Sequence, residues 1–190
     1  KQAVGLSSVG SWDCRVSENF FFGSQNQTGA LIENSQLDFA CNQFYDYTTG
    51  IVVKGFSVSD IETNTFHNNE LGLFFEANGM SGPQNHNGNR WIDPIKRLGA
   101  YHDNRDVSFA RMSAFAVERE ALPLRPELTL PKGWFVQKVG TSKECGHGSK
   151  SASNPSKLKE TFLQNIGAQK VYHTENVALQ HDLERYLIKH

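Results

Sequence analysis

Four charged residues recur at a spacing that could do chemistry. Arg15, Asp38 and Asp60 stand 23 and 22 residues apart, and Glu62 lies two residues beyond Asp60. If each interval returns the chain to the same face, these side chains stack on neighbouring strands about 5 Å apart. Paired carboxylates at that separation can divide acid and base roles, or hold Ca²⁺. The plainer reading is that Arg15 neutralises Asp38 as an ion pair and that the acids are solvated surface charge, with no Lys or Arg beside them suited to abstract a proton.

Other residues offer weaker chemistry. Trp12, Tyr45, Tyr47 and Trp91 could stack against a sugar ring or a protein, and equally could belong to a core. His67, Asn68, Asn69 and Glu70, and separately His102, Asp103, Arg105 and Asp106, read as turn chemistry, because Asn and Asp bond their own backbone. His86 would meet the first group only if its loop folded back. Cys14, Cys41 and Cys145 leave one thiol over in any pairing and lack the spacing of a metal centre. No GxSxG, phosphate loop, HExxH or EF-hand pattern occurs. The expectation is therefore no metal and no cofactor, with Ca²⁺ the single candidate on the acidic face.

Composition narrows the partners. The chain has 190 residues, 38% of them hydrophobic, with 13 Phe and a net charge of -1. That suffices for a core but offers no basic run to attract nucleic acid or anionic lipid. No stretch reaches the roughly 20 apolar residues of a membrane span. The start at Lys1, with a repeat already under way, reads as a mature product or an excised part.

What must position the charged residues is that repeat. Asn-x-Phe occurs at Asn19/Phe21, Asn42/Phe44 and Asn64/Phe66, with Val16, Phe39 and Ile61 three residues before each Asn. A Gly and an apolar triplet follow: Gly29–Ile32, Gly50–Val53 and Gly72–Phe75. A degenerate fourth copy stands at Asn89 and Trp91, displaced by Met80 to Asn87, which reads as an excursion loop. A period near 22 with short apolar strands suits a parallel β-helix. Val16, Phe39, Ile61 and the three Phe would fill its lumen. Asn19, Asn42 and Asn64 would form a structural ladder, each tolerating left-handed backbone at a turn and bonding to its neighbour.

The apolar-x-x-Asn-x-Phe pattern with its Gly-apolar triplet resembles the right-handed parallel β-helix repeats of pectin-lyase-like proteins, over residues 12 to about 92. The order of later segments, Gly88-Asn-Arg-Trp91, Ala114–Val117, Pro131-x-Gly-Trp-Phe135 and Glu184–Leu187, resembles the ends of large secreted surface proteins of the Bacteroidetes type. There, a type IX sorting domain normally follows. The resemblance implies an extracellular or cell-surface location, and a polysaccharide groove on the face of Arg15, Asp38, Asp60 and Glu62.

The expected fold is mainly β: a right-handed parallel β-helix of about four coils over 1–92, a β-rich cap and cover over 93–140, a linker over 141–154 and a helical hairpin over 155–190. The middle residues of the triplets, Leu31, Val52 and Phe74, should point outward and be covered by the tail or by a protein partner. Beside them Glu33, Lys54 and Glu76 alternate in sign. The favoured function is a non-enzymatic stalk or a glycan- or protein-binding surface. The alternatives are a polysaccharide lyase or glycoside hydrolase, and cargo or a subunit of a larger secretion or surface assembly.

Overall fold

The computed structural model describes residues 3–57, 59–92, 98–104, 106–119 and 123–145. The helical hairpin expected over 155–190, most of the linker and Arg105 lie outside the described residues.

The repeat folds into three-strand coils. β1 (Ala3–Val9), β2 (Cys14–Ser17) and β3 (Phe20–Phe22) form the first. β4 (Gln27–Glu33), β5 (Leu37–Ala40) and β6 (Gln43–Tyr45) form the second, and β7 (Thr49–Phe56), β8 (Asp60–Glu62) and β9 (Thr65–His67) the third. β10 (Leu71–Met80), β11 (Gln84–Asn85) and β12 (Arg90–Trp91) follow. Beyond them come β13 (Leu98–His102), a short helix α1 (Val107–Ala110), β14 (Phe115–Val117), β15 (Thr129–Leu130) and β16 (Phe135–Gln137). Strands stack in the orders β1-β4-β7-β10-β13-β15, β2-β5-β8, β12-β9-β6-β3 and β11-β14-β16, with parallel pairing throughout. The result is a parallel β-solenoid of about five turns. It extends past residue 92 because β13 and β15 continue the longest sheet, so the segment read as cover also adds rungs.

Alternation along each strand sends one set of side chains inward. Phe39, Ile61, Phe44, Ile32, Val53 and Phe75 are fully buried. Phe21, Phe44, Phe66 and Trp91 stack in succession, with centroids 4.8, 5.6 and 5.2 Å apart. Each fully buried ring of this kind contributes roughly 2–3 kcal/mol. The recurring glycine follows from the same stack. A Cβ on Gly50 would meet the Phe66 ring at 2.8 Å, and one on Gly72 would meet the Trp91 indole at 2.5 Å.

The asparagines lie one above another. Asn42 Oδ1 accepts from the Asn19 backbone N–H and carboxamide (3.1 and 3.0 Å), Asn64 Oδ1 from those of Asn42, and Asn89 Oδ1 from those of Asn64. Each amide also donates back to the preceding coil: Asn42 to Val16 O, Asn64 to Phe39 O and Asn89 to Ile61 O. The left-handed residue of each turn is not the asparagine, as expected, but the residue before it: Glu18, Cys41 and Thr63, with φ of 59°, 57° and 53°. A β-branched residue such as Thr63 is held there against its preference. The ladder fixes the bend, and the left-handed residue absorbs it.

Leu31, Val52, Phe74, Tyr101 and Leu130 share one outward register. Phe74 stacks on Tyr101 at 5.2 Å, and beside this column Lys54 pairs with Glu76 at 2.9 Å. Met80 to Asn87 is no excursion. It ends β10 and carries β11, with Gln84 buried and its amide donating to Ser59 O at 2.9 Å. At the C-terminal end of the stack Trp134, Phe135 and Phe115 close the lumen, all buried.

Candidate ligand cleft

The sheet β2-β5-β8 brings the charged residues together. Arg15 pairs in register with Asp38, and Asp38 with Asp60, while Ala40 pairs with Glu62. Arg15, Asp38 and Asp60 are exposed and Glu62 is half-buried. The first three line a cleft of about 470 Å³, together with Gln36 and Ser59, and Ser81–Pro83 forms one wall of it. That wall is built. Gln84 donates to Gly82 O at 3.1 Å and Ser81 N–H donates to Ser113 Oγ at 2.9 Å, so β11 holds the rim that sequence spacing had read as a loop.

The expected Arg15–Asp38 ion pair does not form among the described residues. Among the described residues Arg15, Asp38 and Asp60 thus line the cleft with no side-chain hydrogen bond or ion pair at contact distance, beside Asp13 and the Gln36 amide. Such a set can donate to and accept from a hydroxyl-rich ligand.

The acids do have a lysine beside them. Lys143 forms an ion pair with Glu62, brought there from far along the chain. Its segment is strapped down by three backbone donations: Lys138 N–H to Val117 O (3.0 Å), Ser142 N–H to Glu118 Oε2 (3.2 Å) and Lys143 N–H to His86 O (2.8 Å). A disulfide joins Cys145 to Cys41, with Cα atoms 5.6 Å apart, and Cys14 is the exposed free thiol. The Glu62 hydrogen bond, reinforced by the charges of Glu62, Asp60 and Asp38, pushes the Lys143 pKa up against the opposing effect of burial. An amine held protonated neutralises an anion and cannot take a proton.

The four aromatic candidates separate. Trp12 is 65% exposed and adjoins Asp13, which lines the cleft. Tyr45 is half-buried between Phe22 and His67, at 4.9 and 4.4 Å. Tyr47 and Trp91 are buried in the core. Tyr47 is buried against the backbone of Gly23, which pushes its hydroxyl up to about 12. Trp91 fills the lumen and donates to Gly99 O at 2.9 Å.

Of the polar clusters, Asn69 is a second ladder residue, accepting from Tyr47 N–H at 2.9 Å and donating to Phe44 O at 3.1 Å. Asp103 accepts from Ala77 N–H, and Asp106 caps α1 through Ser108 N–H at 2.8 Å. His102 is fully buried, stacked on Phe75 and edge-on to Trp134. Among the described residues no three His, Cys, Asp or Glu side chains converge to hold a metal. Comparison with protein-family models, curated proteins and solved structures finds no match.

Proposed function

We propose that the protein is a non-enzymatic β-solenoid module of a secreted or cell-surface protein, and that its cleft binds an oligosaccharide. The observation that carries the reading is the in-register set Arg15, Asp38 and Asp60, which lines a cleft of about 470 Å³ without an ion pair among the described residues. Charged hydrogen-bonding groups on a rigid sheet suit ring hydroxyls, and Trp12 beside the cleft offers a stacking surface. The Cys41–Cys145 disulfide supports an oxidising, extracytoplasmic setting. The likeness of the coils to pectin-lyase-like repeats, and of the later segments to Bacteroidetes-type surface proteins, supports the same location and a place in a larger surface assembly.

Binding rather than turnover is favoured because both aspartates are exposed, whereas a general acid needs a desolvated carboxyl. The nearest amine is held as a cation by Glu62. A glycan array probed with and without Ca²⁺, followed by a reducing-end assay on each binder, tests the proposal. The expected result is binding without turnover, weakened at least about tenfold in Asp38→Ala through loss of charged hydrogen bonds. Turnover that disappears in Asp60→Asn would replace this reading with a lyase or hydrolase.

A further inference from the structure

The ladder has a regular grammar and its first position is unfilled. In every later rung the Asn Oδ1 receives two donors from the preceding coil, and the amide donates to that coil's backbone. Asn19 is exposed, and among the described residues nothing donates to its Oδ1. Its amide, with no preceding carbonyl within reach, turns back to Ser17 O at 2.9 Å. Independently, among the described residues nothing covers the lumen at this end. Leu6, Val16 and Phe21 are only half-buried, although their register partners Ala30, Phe39 and Phe44 are fully buried. Among the described residues β1, β2 and β3 each have a strand on one side alone.

We infer that the N-terminal face of the solenoid is an elongation surface, and that its occupant is a further parallel coil of the same repeat, joined on the N-terminal side of β1 and placing an asparagine over Asn19. The pattern of donors selects this occupant. A second copy meeting the surface through its own N-terminal face would set acceptor against acceptor. A second copy meeting it through the other end would present the buried ring cluster of Phe115, Trp134 and Phe135 rather than an amide. A coil in register supplies the backbone N–H, the carboxamide, three strand partners and the apolar residues that cover Phe21.

The test extends the full chain by a copy of residues 24–45 ahead of Lys1, which sets the copied asparagine 22 residues before Asn19. Hydrogen exchange is read at the amides of β1–β3, with native mass measurement alongside. The expected result is a monomer in which those amides exchange at least about tenfold more slowly than in the parent, with most of the gain lost when the copied asparagine is Ala. Unchanged exchange in β1–β3, or an extension that stays protease-sensitive while the parent core remains folded, overturns the inference. So does a parent chain whose β1–β3 amides are already protected in a dimer, since the occupant is then a second copy.

Discussion

Phe21 and Phe44 hold the same register position on adjacent coils and stack at 4.8 Å, yet the first is half-buried and the second fully buried. At the opposite end Trp134 is fully buried among Phe75, Phe115 and Phe135. The contrast between the two ends shows that burial in a stacked fold belongs to the neighbour as much as to the residue. A coil becomes core when another covers it. One end is closed by aromatic rings, and the strap that follows them is tied back to the second coil by a disulfide, whereas among the described residues the other end offers unpaired strand edges, an open amide acceptor and the exposed side chains of Val9 and Trp12.

The largest expected effect attacks the closed end. Trp134→Ala should lower unfolding free energy by about 3–5 kcal/mol, and Phe21→Ala at the open end by less than about 2 kcal/mol. Equal losses in urea titrations would erase the distinction. Next is the tie itself. Reduction of Cys41–Cys145, or Cys145→Ser, should cost about 2–4 kcal/mol, since the bond closes a span of 104 residues. Thermal melts with and without reductant measure it, and no shift would mean that the strap's other contacts suffice.

The ladder should show the same gradient more gently. Asn64→Ala strands a buried Asn42 N–H and should cost about 1–3 kcal/mol, whereas Asn19→Ala should cost no more than about 0.5 kcal/mol. The smallest effect is pH-dependent. Burial depresses the His102 pKa, although Asp103, 3.9 Å away, and the Gly79 backbone work against it. Nδ1 already accepts from Asn104 N–H at 3.2 Å, so the neutral ring is the one that fits. The unfolded chain therefore takes up the proton first. The His102 contribution is complete above pH 6.5 and is lost as pH falls below it toward the depressed folded value. Stability measured from pH 7 down to 5 should decline, with a shallower slope in His102→Phe.

The coils were legible in the sequence because each constraint is local to a rung and returns at a fixed interval. Lumen rings, the glycines beneath them and the amide ladder must each recur every 22 residues or so. Legibility failed where the interval broke. β13 pairs with β10 at a spacing of 27, Leu98 against Leu71, so its place in the long sheet left no period to follow. The cleft face was readable for the same reason as the core, since Asp38 and Asp60 share the repeat's spacing. Lys143 reaches Glu62 across 81 residues, and three cysteines do not disclose their own pairing. Its signal was nonetheless present, two residues before Cys145. Trp91 could also have been assigned to the lumen, because it stands where the repeat puts Phe66.

The Cys41–Cys145 bond has a mechanical consequence. A tensile load applied through the two termini would travel from the second coil directly to the strap, leaving the intervening turns outside the line of force. The sequence separation of 104 that it closes represents roughly 350 Å of extended contour. That length stays hidden from a pulling experiment until a thiol opens the bond, so between its termini the oxidised solenoid should yield first by peeling β1–β5, the strands that precede Cys41.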